Sequence, residues 1–169
     1  MSAEEPIALK EVQLRLGVPQ HVLIHLCEKG VIEPDFAQTS GRGKRREFSR
    51  RNLFEFGVAL ALRRLELPVA TVALLVRILR SFTRAVNKAV PGFTVPESLA
   101  EGDAEFALHL YDGERLVLVA RSPSFAKPLS LSAKLGEASP RVAKLDSLPE
   151  RYEARLDVNL SEIAKNVLK

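Results

Sequence analysis

Residues 7–57 read IALKEVQLRLGVPQHVLIHLCEKGVIEPDFAQTSGRGKRREFSRRNLFEFG. Ile7, Val12, Leu14 and Leu16 recur around one side of a first helix, which stops at Gly17, where a left-handed backbone carries no steric cost. Pro19 suits the first turn of a second helix, because its φ is already helical and its missing N–H would have had no intrahelical partner. On that helix Val22, Leu23 and Leu26 face inward, Gln20, His21, Ile24 and His25 lie toward the other side, and Gly30 offers a stop. Two short helices around a tight turn, the second with a polar outer face, are the outline of a domain that reads DNA. Gln20, His21 and His25 are then the candidate base-reading residues.

The cations that follow sharpen this reading. Arg42, Lys44, Arg45, Arg46, Arg50 and Arg51 face only Glu47 within ten residues. A run of charge is ordinarily a solvated face, but position argues for more here. Arg50 and Arg51 follow Ser49, a good N-cap, and so occupy a first helical turn, where the helix dipole disfavours a cation by roughly 0.3–1 kcal/mol. A phosphate at this helix start would meet free backbone N–H groups as well as guanidinium groups. Gly41 and Gly43 set the flanking basic residues on a tight hairpin over 36–48, suited to the DNA backbone or minor groove.

The spacing of GVPQHVLIHLCEKGVIEP, then RREFSRRNLFEF, then LRRLELPVATVALLV resembles the winged helix-turn-helix of MerR-type transcriptional regulators over residues 7 to about 80. Gly17 and Val18 fall on that family's turn, Glu28, Gly30 and Pro34 on the end of its second helix, and Phe48 and Ser49 on its aromatic-Ser approach to the third helix. Leu65, Leu67 and Pro68 sit where its third and fourth helices join. Three positions depart from the pattern. Ile24 and His25 stand where an Arg-Tyr pair is usual, Pro19 replaces Ser, and Glu66 replaces Gly before the fourth helix. The resemblance implies a homodimer on an inverted repeat in double-stranded DNA, and distortion of promoter DNA as the mode of action.

The rest of the chain divides in character. Through residue 90 there are 15 Lys and Arg against 9 Asp and Glu, a balance of +6; residues 91–169 hold 10 against 12, a balance of −2. Leu53, Phe56, Leu60 and Leu62 are core candidates on the third helix. Val72, Leu75, Leu79, Phe82, Val86 and Ala89 recur at 3 and 4 residues along a helix opened by Pro68, which predicts a heptad seam for dimerisation. Its opposite face carries Arg77, Arg80, Arg84 and Lys88. Residues 91–104, rich in turn formers, read as a linker. FALHLYDGERLVLV predicts a hairpin around the two residues Asp112 and Gly113. Further strands are expected over 128–133, 141–145 and 155–158, with Ser161 capping a last helix. The fold class is therefore α+β: a mainly α winged domain over 1–90, the linker, and a small β-rich domain over 105–169.

Composition narrows the function. With 46% hydrophobic residues, no apolar run near the ~20 residues of a membrane helix and no signal-peptide pattern, a cytoplasmic, nucleoid-associated protein is expected. One Cys allows no internal disulfide. His21 and His25 at i and i+4 could present two zinc ligands, but Cys27 lies about 200° from His25 and a third ligand is missing, so no metal or cofactor is expected. His109 sits inside a strand and no acid–base pair emerges, so an enzyme is not expected. The reading is a sequence-specific DNA-binding transcriptional regulator. Its alternatives are an architectural, excisionase-like DNA binder, and an adaptor whose winged domain binds an acidic protein such as RNA polymerase or another regulator.

Overall fold

Helix and antiparallel strand follow the periodicities of the sequence through residues 4–36 and 45–169, which the computed structural model describes. The α+β class holds, and the chain divides into two compact units: residues up to Val76 with Val167–Lys169, and Arg77–Asn166.

The first unit begins with β1 (Ile7–Ala8), which pairs antiparallel with β2 (Glu47–Phe48), Ile7 facing Phe48. Ile7 is thus strand rather than helix. Between the two strands come α1 (Leu9–Leu16) and α2 (Gln20–Glu28). Gly17 closes α1 at φ +64°, its N–H donating to the Gln13 carbonyl at 2.9 Å. Pro19 flanks α2 as its N-cap, one position before the first turn. Val12 is fully buried, but Leu14 is 73% exposed, against expectation: two residues further along a helix is about 200° around it. The hairpin expected over 36–48 falls largely on residues 37–44, outside the described residues.

α3 (Arg50–Arg64) is the centre of this unit. Residues 52–59 are buried without a break, the pattern of a helix packed on all sides. Phe48 meets Phe56 edge-on at 5.2 Å, so the short β ladder is anchored on α3. Glu66, at φ +62°, makes the corner to α4 (Val69–Ala89) in the left-handed region where the resembled family places Gly. A non-glycine residue costs roughly 1–2 kcal/mol there.

In the second unit β3 (Glu105–Tyr111), β4 (Arg115–Arg121), β5 (Leu129–Lys134) and β6 (Ala143–Lys144) form a meander, and β7 (Arg155–Asn159) returns beside β3. The order is β6-β5-β4-β3-β7, antiparallel throughout. One face buries Phe106, Leu108, Leu118 and Leu131; the other buries Tyr111, Val117 and Val119 with Leu145 packed on them. Central β4 is therefore buried over 116–120 on both faces, which is why its sequence does not alternate. The expected β3–β4 hairpin is present, with Asp112 and Gly113 both at positive φ. Tyr111 pairs with Arg115, however, so three residues lie outside the ladder instead of two.

Three further expectations are corrected. The stretch 91–104 is packed structure instead of a linker: it carries α5 (Glu97–Glu101) and buries Phe93, Val95 and Leu99, Phe93 stacking on Phe106 at 5.4 Å. Ser161 does not cap α6 (Leu160–Leu168). It is buried, accepts from the Phe106 N–H at 2.8 Å and donates to the Ala104 carbonyl at 2.7 Å, while the Asn159 side chain accepts from the Glu162 N–H at the helix start. The heptad seam of α4 is interior: Val72, Leu75, Leu79, Phe82 and Val86 are at most 1% exposed within the single chain, and Ala89 is exposed. A seam already filled by its own chain is not open to a second copy.

Leu79→Ala should accordingly lower the unfolding free energy by about 2–5 kcal/mol, by the same amount at every protein concentration. Urea unfolding over a hundredfold concentration range reads this. A penalty that changes with concentration would return Leu79 to a dimer interface.

Candidate nucleic-acid interface

Helix α2 separates its residues cleanly. Leu23 and Leu26 point into the core at 0% and 2% exposure, with Val22 and Ile24 partly covered, while Gln20, His21 and His25 are exposed. The three side chains set aside as base readers thus share the free side of a helix whose back is fixed. Past its end, Gly30 at φ +70° turns the chain and Val31 and Ile32 drop into the core.

The next segment is held from below by Asn52, which is fully buried on α3. Its Oδ1 accepts from the Asp35 N–H at 2.8 Å and the Ser49 N–H at 3.2 Å; its Nδ2 donates to the Glu33 carbonyl at 2.9 Å and to Glu55 Oε2 at 3.2 Å. Ser49 Oγ completes the reciprocal cap by accepting from the Asn52 N–H at 3.0 Å. A buried amide with both ends satisfied fixes geometry, because losing any one partner leaves a polar atom in a dry place. The S-x-x-N spacing of Ser49 and Asn52 is a variant of the capping-box signal. It was the only trace of this role in the sequence.

The cations are distributed differently from the expectation. Arg42 and Lys44 lie outside the described residues. Arg45 is exposed, and Arg46 is half-buried, with its charge felt at Cys27 near the end of α2. Arg51 is bound by the Asp35 carboxylate through both Nε and Nη2, and the same carboxylate takes the Ser49 hydroxyl. The Arg50 N–H donates to Glu4 Oε1 at 2.6 Å. The expectation of free backbone N–H groups at the start of α3 is thereby corrected for the Arg50 N–H, and the Arg51 guanidinium is already paired. Carboxylates arriving from 46 and 16 residues away already serve as the anions that the helix start and its arginines favour.

Burial is the largest influence on Cys27 and pushes its thiol up to about 11, Arg46 lowering and Glu28 raising it to lesser degrees. It is a neutral thiol at pH 7, partly buried near the end of α2. In the second unit, His109 Nδ1 lies 2.6 Å from Asp157 Oδ1, which Arg155 Nε also approaches at 2.8 Å. Partial burial raises the Asp157 carboxyl, but hydrogen bonds from His109 and Arg155 outweigh it and hold the group below the usual carboxylate range. Arg155 also lies over the rings of Tyr111 and Tyr152, at 6.0 and 5.7 Å. His109 is thus one member of an ionic and aromatic cluster on the sheet, a setting its place in an alternating strand did not reveal.

No protein-family model matches the chain, and no curated protein does.

Asn52→Ala should strip partners from four groups at once and cost about 2–4 kcal/mol. Urea unfolding followed by far-UV circular dichroism measures this. A loss under about 0.5 kcal/mol would mean that water replaces the amide and that the Glu33–Asp35 segment is held by something else.

Proposed function

We propose that the N-terminal unit is a winged helix-turn-helix of MerR type that binds double-stranded DNA, and that the protein is a sequence-specific transcriptional regulator. The observation that carries the reading is α2: Gln20, His21 and His25 bare on one side, Leu23 and Leu26 locked on the other, behind a glycine turn. A helix so held can enter a major groove with its polar residues at base edges, where an amide or imidazole reads donor and acceptor patterns. Antiparallel pairing of β1 with β2 supports the reading, since it roots the end of the basic segment against the N-terminal strand. Arg45 and Arg46, with Arg42 and Lys44, supply charge for phosphates, which sets affinity and register while α2 sets sequence.

Arg50 and Arg51 have a second-stage role in this mechanism. Their site holds protein carboxylates in the free chain, so a phosphate reaches α3 by replacing Glu4 at the Arg50 N–H. Binding there is an exchange of anions.

The deciding experiment is selection of bound duplexes from a random DNA pool by the purified chain. Enrichment of a defined sequence is expected, altered by Gln20→Ala or His21→Ala; equal loss on every duplex in those variants would contradict base reading. Arg45→Ala with Arg46→Ala should weaken all duplexes alike and reduce the salt slope by about 1 per lost contact. Retention of DNA with nothing enriched would favour an architectural binder, and no retention at all would favour a protein partner.

Glu4→Gln should tighten DNA binding a few-fold at low salt, because the competing carboxylate loses its charge. Fluorescence anisotropy on one labelled duplex reads the change. Unaltered affinity would remove the start of α3 from the contact surface.

A further inference from the structure

Helix α4 carries Arg77, Arg80, Arg84 and Lys88 and not one acid along its 21 residues. Arg77, Arg84 and Lys88 are exposed, and all three lie in the part of the helix that belongs to the second unit. At 3.6 residues per turn, spacings of 7 and 4 put them within an arc of about 40°, and at 1.5 Å per residue the row is about 16 Å long. Ala73, Ser81 and Ala85 are the small, half-covered residues beside the row. The opposite face is interior, with Leu75, Leu79, Phe82 and Val86 buried.

The row is unfavourable to the helix that bears it. Arg84 and Lys88 stand four residues apart, and such a like-charge pair costs about 0.2–0.5 kcal/mol. The helix dipole accounts for Lys88 in the last turn but not for Arg77 and Arg84 in mid-helix. The rest of the second unit is not basic, since residues 91–169 carry a balance of −2, so the row is not a sample of a generally basic surface.

We propose that this row is a second nucleic-acid contact, which grips the phosphodiester backbone without reading bases. Its length covers about five phosphates of axial rise along one strand. Its neighbours are mostly small and allow a backbone to approach closely, whereas a protein partner would need several aromatic or large apolar anchors and this face offers the half-covered Leu74 alone. An anionic bilayer is a poor match, because the apolar face that would enter it is already interior. The contact goes beyond the reading of α2: a chain without a base-reading helix would still present it.

Salt dependence of binding to a duplex of scrambled sequence tests the proposal. The comparison is the unmodified full chain, the triple variant Arg77→Gln, Arg84→Gln, Lys88→Gln, and the double variant Arg77→Lys, Arg84→Lys, with circular dichroism confirming helix content. The triple variant is expected to lose two to three units of slope. Raising salt fourfold would then weaken it up to about fortyfold less than the unmodified chain. The double variant, which keeps charge, should retain the slope, so a folding defect in the triple is separable from loss of contact. A triple variant with the unmodified slope overturns the proposal while leaving α2 and the wing untouched. A chain whose slope falls on changing Arg77, Arg84 and Lys88 but whose selected sequence does not respond to Gln20 or His21 supports this contact and rejects the base-reading one. Absence of duplex binding by the unmodified chain at 50 mM salt overturns both.

Discussion

A single buried amide organises the N-terminal unit. Asn52 reaches the Glu33–Asp35 segment and the Ser49 cap from inside α3, and so ties the chain that follows α2 to the start of α3. The polar centre is worth having in a core otherwise built of Phe and Leu because hydrophobic contact is non-directional and could settle in several registers, whereas an amide with four partners accepts one. The Phe48–Phe56 contact then adds burial to a geometry already fixed.

Charge at the start of α3 follows the same logic of groups brought from afar. Counted along the chain, the arginines around 42–51 look almost unopposed. In the folded chain Asp35 holds Arg51 and Glu4 sits on the Arg50 N–H, so the field presented to an incoming anion is smaller than the sequence suggests. Electrostatic arguments made from local windows overlook neutralisation of this kind, because folding brings carboxylates to a helix start irrespective of their separation in sequence.

Much of the architecture was legible. Gly17 and Gly30 marked left-handed turns, Ser49 marked a cap, and alternating residues marked β3, each because the local signal has a local cause. What was misread has non-local causes. The 3-4 spacing on α4 fits a dimer seam and a core face equally, and only the rest of the fold decides which. The turn formers of 91–104 conceal Phe93, Val95 and Leu99, whose burial needs the β-sheet that follows. Ser161 is as good a cap by composition as Asn159, but the β3 backbone claimed its hydroxyl. For the candidate site, exposure of Gln20, His21 and His25 agreed with helical phase, while the roles of Asn52, Asp35 and Glu4 required contacts over 16 to 46 residues.

The pinning of both Asp35 and Ser49 to Asn52 has a consequence for the stretch between them. One side chain holds the residue at each end, so the separation of Asp35 and Ser49 is set by α3 and not by the sequence between them. The amide that makes the core unique therefore also fixes the span that the intervening segment has to bridge.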